Sequence, residues 1–437
     1  MRTGKLLLVV LISAMILAFG CNNTHEQGNG TPDNDDGDDD TDLPSKEPPG
    51  DLPSVETGAV ELAFLRNYDI WLLADNREQQ LTDEGDISFM QWSPDGQKIL
   101  YFRGHGTTGD LWVMDADGSN QQQLAQGVFM QYQVTLAPGL CWHPSGERVA
   151  FLQGDSLVIQ DLNGDQKTQV ALNYDYYGGP WWHPGGETLI VWGANSDYTA
   201  NAYFYGADGT PGAVRELVSS PFWSDDGLFF VQEVLDPVSG YLQAQGVYSV
   251  DPRGENQRAV YEGNLAWSPL VAVDPTGRRL AVSDARNVHV LTTDGFTVEF
   301  SVESEIVNTR SEFAHPFWFA FAPHGDRLAV MNYYLEVEGE QGDDGYWLLR
   351  VYDIADNYRG LDVWPRVYEL YGGADQQPPV PMQGIQPFFW SGCGENLLVL
   401  RNGESEYDLW LVTDVLTAAD YGEGPVLANI SQFFIRP

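Results

Sequence analysis

The chain predicts an all-β fold of repeated four-stranded units set in a ring, and three observations carry that prediction. A turn rich in Trp, Pro and Gly, flanked by two apolar runs, recurs throughout residues 58–437. An apolar strand, a short Asp/Gly hairpin and a further strand follow each such turn. No long stretch of the 437 residues spaces its apolar positions three and four apart, so helix is not the main element. Strand-favouring Val, Tyr, Phe and Trp are plentiful, and 46 Gly with 25 Pro supply frequent turns.

The turns come in order as WSPDGQKILYF (92–102), WHPSGERVAFL (142–152), WHPGGETLIVW (182–192) and WSDDGLFFV (223–231). VDPTGRRLAV (273–282), APHGDRLAV (322–330) and WSGCGENLLVL (390–400) complete the series. In each, the Gly supplies the positive φ that a tight turn between two strands needs. Trp92, Trp142, Trp182, Trp223 and Trp390 hold equivalent positions, and recurrence from unit to unit marks them as packing residues.

The second element appears as DIWLLADNREQQLT, DLWVMDADGSNQQQLA, LVIQDLNGDQKTQVAL, GVYSVDPRGENQRAVY and DLWLVTDV. Four antiparallel strands per unit of 40 to 50 residues is the signature of a β-propeller blade. DLWVMDADGSNQQQLAQG followed by WHPSGERVAFL, like DIWLLADNREQQLTDEG followed by WSPDGQKILYF, resembles the repeat of TolB-type propellers. The resemblance covers residues 58–437 and implies the fold and a place in an envelope assembly. The chain lacks the separate amino-terminal domain that TolB proteins carry ahead of the propeller.

The termini decide the blade count. VELAFLRN (60–67) is a second strand with no first strand before it, and NISQFFIRP at the other end has the form of a first strand with nothing after it. Joined, FFIRP and GAVELAFL read like MQWSP and DGQKILYF. Eight four-stranded blades are therefore expected, with seven as the alternative, and the C-terminal strand closes the ring in the first blade. Closure removes the open sheet edge that invites aggregation.

Strand direction alternates within a blade, so the SPDG turns and the DADG hairpins share one rim. The second-to-third loops and the blade-to-blade links share the other, where most long insertions fall: 193–201, 233–246, 332–347, 173–179 and 371–388. Two exceptions, 356–366 and 415–425, decorate the opposite rim. Elaborated loops on a rigid scaffold are where binding resides. Tyr174, Tyr176, Tyr177, Tyr198, Tyr241, Tyr333 and Tyr334, with Asp175 and Asp197, are the candidate binding face. An aromatic, acid-rimmed surface suits a protein or glycan ligand, whereas tyrosines packed between blades are the plainer alternative.

Residues 1–20 read as an export signal: Arg2 and Lys5, then an apolar run of about 14 residues, too short to span a membrane comfortably. Cys21 directly after Gly20 resembles a bacterial lipoprotein signal, which implies cleavage before Cys21 and lipid on that residue. Ala18 and Phe19 depart from the usual Leu and small residue of that signal. Residues 21–57 carry almost no large apolar side chains, and eleven acidic residues stand there against Lys46. Such a segment cannot repay the entropy of ordering, and it reads as an extended acidic tether. Asn22 after the cysteine is compatible with sorting to the outer membrane.

Charge and motifs restrict the chemistry. The formal net charge is −41, and only Lys5, Lys46, Lys98 and Lys167 accompany 18 Arg, which excludes a phosphate-binding footprint for nucleic acid. No G-x-S-x-G elbow occurs, and the seven histidines (25, 105, 143, 183, 289, 315 and 324) form no H-x-x-x-H or H-E-x-x-H pair. DNDDGDDDTD, DADGSN (115–120) and DLNGDQ (161–166) lack the spacing of a calcium loop, so no metal or cofactor is assigned. Cys141 and Cys393 fall in non-adjacent units, which argues against a disulfide. The reading is an envelope lipoprotein presenting a propeller as a binding or scaffolding module. The alternative is an enzyme of lyase or lactonase type with a metal or carboxylate site at the central channel.

Overall fold

The computed structural model describes residues 61–437 except 76, 105, 107, 130–139, 165, 174–175, 195–199, 217, 236–241, 263–264, 266–270, 285–286, 304–310, 337–343, 355–358, 365–387, 392–393, 403–406, 413–425, 431 and 436–437. The signal and tether, with Cys21, lie outside them. The described residues form strands and turns and no helix.

Their 32 strands pair antiparallel in six sheets of four and one of eight, and the eight-stranded sheet divides into two further four-stranded units, so each unit is described as a blade. Blade 1 joins Leu62–Arg66, Asp69–Ala74 and Arg77–Gln80 to Gln432–Ile435 from the far end of the chain. Blades 2 to 8 follow as 87–129, 140–171, 176–216, 218–261, 271–303, 311–364 and 388–430. Blades 2 and 3 are also linked through the single pair Val128↔Gln153. Leu62 pairs with Ile435, Ala63 with Phe434 and Phe64 with Phe433, the pairing expected from the two incomplete ends.

The second strand of each blade is an unbroken apolar run because both of its faces are covered. In blade 2, Ile99 and Tyr101 pack toward blade 1, while Leu100 and Phe102 pack toward blade 3. Leu189 and Val191 turn toward blade 3 and Ile190 toward blade 5. The period-2 alternation of a strand thus feeds two separate cores. Eight apolar clusters result, one between each successive pair of blades. The last unites Leu398, Leu409 and Leu427 of blade 8 with Leu62, Phe64 and Phe433 of blade 1.

The recurring tryptophans tie these cores together. Trp142 Nε1 donates to Gln91 O (3.3 Å), Trp223 Nε1 to Trp181 O (3.1 Å) and Trp390 Nε1 to Ala320 O (3.0 Å). Each acceptor sits one residue before the equivalent aromatic position of the preceding blade. A second set of ties starts from the polar residue that follows the apolar run of the second strand. Arg66 donates to Ala428 O (3.2 Å), Gln153 to Gln126 O (2.6 Å) and Gln232 to Glu216 O (3.0 Å), each on the outer strand of the preceding blade.

One turn differs from its expected form. Gly96 and Gly186 take left-handed φ values of 65° and 75° inside their turns. In blade 5 the hairpin is tighter, Ser224 pairs directly with Gly227, and that glycine heads the strand at φ 149°. Glycine is required there for a different reason: a Cβ would meet Val250 O at 1.9 Å.

Candidate functional site

Backbone bonds fix which turns share a rim. Ala116 N donates to Gln97 O, Leu162 N to Glu147 O, Ala207 N to Glu187 O, Thr293 N to Arg278 O and Ile354 N to Asp326 O, all at 2.8–3.0 Å. In five blades, then, the third-to-fourth hairpin is stitched to the first-to-second turn. The long second-to-third loops necessarily leave from the opposite rim.

The turn rim is occupied with its own structure. His143 Nε2 lies 2.9 Å from Gly186 O and His183 Nε2 3.1 Å from Asp225 O, each reaching the turn of the next blade. Asp115 accepts from Asn120 (2.6 Å) and Lys98 (2.5 Å), and Asp251 accepts from Asn256 (2.7 Å). These carboxylates are satisfied by turn donors, and the Ser119 contacts of Asp117 hold its carboxyl below the ordinary range. Among the described residues no group of three or more His, Cys, Asp or Glu is placed to hold a metal ion. Burial pushes the Cys141 thiol up, which keeps it protonated; Cys393 is outside the described residues.

The loop rim carries elaboration. A second strand in this chain ordinarily stops at the polar residue equivalent to Arg103 or Gln153. In blade 7 that residue is Asn332, yet its strand continues to Glu336. The neighbouring strands Ser311–Phe321 and Asp344–Asp353 extend with it, so that Ser311↔Glu336 and Glu336↔Asp344 are paired. Four further residues at about 3.3 Å each carry this three-stranded ribbon roughly 13 Å past the usual strand end. Blade 5 has a shorter version, with Glu233–Leu235 continuing beyond Gln232 against Leu242–Ala244.

The candidate face divides between blades. Tyr174, Asp175, Asp197, Tyr198 and Tyr241 lie outside the described residues. Tyr176 and Tyr177 open the first strand of blade 4, opposite Ala194 and Gly193. Tyr333 and Tyr334 lie in the blade 7 ribbon, opposite Trp347 and Tyr346. The two tyrosine pairs therefore belong to different blades. The ribbon instead brings Tyr333 and Tyr334 beside two aromatic residues that sequence reasoning did not name. The available signal was the run DGYWLL (344–349), whose partner only the strand register reveals.

At the same rim, blades 1 and 2 repeat a charged arrangement. Arg66 pairs with Glu78 at 2.5 Å and lies 5.5 Å from the Trp71 ring centre. Arg103 holds Asp86 and Glu84 and lies 5.1 Å from the Trp112 ring centre. The acidic partners satisfy these guanidinium groups, and the indole faces cover them. In blade 5, burial raises the Glu233 carboxyl above its ordinary range, against an opposing hydrogen bond from Ser219.

No protein-family model matches the chain, and no curated protein matches it. Solved structures do. Dihydro-heme d1 dehydrogenase NirN in complex with DHE superposes with a TM-score of 0.52 at 12% identity, covering 86% of this chain and 74% of that one. A eukaryotic initiation factor gives 0.51 at 10% identity over 87% and 99% of the two chains. Oligogalacturonate lyase in complex with manganese gives 0.47 at 12% identity over 84% and 97%. At such identity the first two likenesses are ones of fold. NirN is propeller-like, and this chain is a β-propeller.

Proposed function

We propose that the chain is a cell-envelope lipoprotein whose acidic tether, residues 21–57, presents a closed ring of eight blades as a protein- or glycan-binding module. The observation that carries this reading is the blade 7 ribbon. Hydrogen-bonded strands there extend on the rim free of turn stitching, and they place Tyr333 opposite Trp347 and Tyr334 opposite Tyr346. An extension built from paired strands is ordered before a ligand arrives, which lowers the cost of binding. Aromatic residues are the side chains enriched in protein interfaces. The inter-blade ties support the same reading, because they hold the rim on a scaffold with few degrees of freedom.

The test compares the full chain with a variant in which residues 333–346 are replaced by a short Asn-Gly turn. Both are immobilised and exposed to envelope extract and to a glycan array. The wild type is expected to retain a partner that the variant does not. Identical retention by both removes the ribbon from the function, and no retention by either overturns the binding reading. Anchoring is tested separately. Incorporation of labelled fatty acid is expected in the wild type and lost in Cys21→Ser, and an unlabelled mature wild type sinks the lipid anchor.

A further inference from the structure

Blade 6 holds a line of three reactive side chains that the binding role does not use. His289, in the strand Asn287–Thr292, has its Nε2 2.8 Å from Asp284 Oδ2 and its Nδ1 2.7 Å from Ser301 Oγ. Asp284 follows the second strand of the blade, and Ser301 lies in the outer strand Val298–Glu303. The Asp284 carboxylate is itself fixed, accepting the Asn287 backbone N–H at 2.7 Å and the Asn287 side chain at 3.0 Å.

The chemistry follows from what each group can give. A carboxylate only accepts, so the imidazole Nε2 carries the proton shared with Asp284. In the neutral imidazole Nδ1 presents its lone pair to Ser301, and the Ser301 hydroxyl donates. Tyr261 of blade 5 stacks on the imidazole with centroids 5.0 Å apart and planes at 26°. His289 and Asp284 are only 14% and 16% exposed, while Ser301 is exposed. The general base is thus sheltered and oriented, and the nucleophile faces solvent.

Register adds an oxyanion donor. Thr292 N–H bonds Thr297 O, so by alternation Val288, Val290 and Thr292 point their backbone groups at the outer strand. His289 and Ser301 therefore form a non-hydrogen-bonded pair, the close kind, and the Ser301 N–H points away from its neighbour. That strand is the edge of its sheet. The N–H of the nucleophilic residue itself is thereby turned to the open side.

We propose that Ser301, His289 and Asp284 form a nucleophilic site that cleaves neutral or cationic carboxylic esters. Ser301 Oγ adds to the ester carbonyl carbon as its proton passes to His289 Nδ1, and Asp284 stabilises the imidazolium. The ester C–O bond breaks, and the alcohol leaves with the proton from His289. Water then adds to the acyl-serine, gives its proton to His289, and the acid departs as Ser301 recovers its hydrogen. Anionic esters are disfavoured by the net charge of −41.

The experiment treats the full chain with a biotinylated fluorophosphonate and maps the adduct by mass spectrometry, then follows p-nitrophenyl acetate hydrolysis. A labelled Ser301 peptide is expected. Ser301→Ala, a change at an exposed position, is expected to abolish both label and turnover while leaving the melting temperature unchanged. His289→Gln should slow labelling at least about 100-fold. Asp284 acts as a positioning residue, so Asp284→Asn should lower kcat at least about 10-fold with KM unchanged. An unlabelled Ser301 peptide overturns the proposal, as does wild-type hydrolysis in Ser301→Ala or a wild-type labelling rate in His289→Gln.

Discussion

The Arg66 guanidinium donates to the backbone carbonyl of Ala428 at 3.2 Å, a contact between the first and last blades across 362 residues of chain. The same side chain pairs with Glu78 and covers the Phe64 and Trp71 rings at 4.9 and 5.5 Å. It stands where Gln153 and Gln232 make the same bond in later blades. The interface between blades 8 and 1 therefore repeats a tie found at two internal interfaces, blade 3 to blade 2 and blade 5 to blade 4.

Two variants probe that junction. Arg66→Ala leaves Glu78 and the Ala428 carbonyl without their donor and should cost about 1–3 kcal/mol in urea unfolding. Deleting residues 429–437 removes Phe433 from its cluster and bares the edge of Leu62–Arg66. That protein should aggregate or lose most of its stability, as light scattering and thermal melts would show. A well-folded monomer would refute both the closure and the count of eight.

The tryptophan ties give a comparison inside one molecule. Trp142 and Trp223 each donate Nε1 to a backbone carbonyl, whereas Trp182 Nε1 is buried with no acceptor among the described residues. Phenylalanine keeps most of the ring packing and deletes the donor. Trp142→Phe and Trp223→Phe should each cost about 1 kcal/mol, because a part-buried carbonyl loses its indole donor. Trp182→Phe removes an unsatisfied group and should be neutral or slightly stabilising. Equal losses at all three positions would show that indole volume, not the hydrogen bond, is what matters.

Much of this fold was legible because the repeat is local. A turn such as WHPSG and the apolar run behind it lie within a dozen residues, and the halves of blade 1 at the two ends match the complete units. The rim assignment followed from strand direction alone, and the bond from Ala116 N to Gln97 O agrees with it. What stayed hidden depends on register between strands. Trp347 became a neighbour of Tyr333 only through a ten-residue pairing, and Ser301 met His289 across a hairpin with a bulge. The donors Arg66, Gln153 and Gln232 were hidden differently: they share a position but not a residue type, so no motif marks them.

Burial raises the Glu233 carboxyl above its ordinary 4.5. The protonated form is the one the folded state favours, so the contribution of Glu233 is full below about pH 4.5 and is lost as pH rises through the raised value. Glu233→Gln, which keeps an acceptor for the Ser219 hydroxyl, should raise the melting temperature at pH 7. The gain should vanish as pH falls below 4.5. A gain independent of pH would point to shape and not to charge.

His143 carries the opposite sign. Burial lowers its pKa from the ordinary 6.5, and the geometry agrees: Nδ1 accepts the Ser145 N–H at 3.0 Å while Nε2 meets Gly186 O. Protonating Nδ1 breaks the Ser145 bond, so the neutral ring is the form that fits the turn. Its contribution is complete above pH 6.5 and declines as pH falls through the lowered folded value. Blades 2 and 8 use Ser93 and Ser391 at this position, and each serine hydroxyl accepts a turn N–H without titrating. His143→Ser should therefore be less stable than wild type at pH 7.5, where the Gly186 tie is lost. The two melting curves should converge as pH falls below 6.5, and curves that stay parallel there would remove His143 from the acid response.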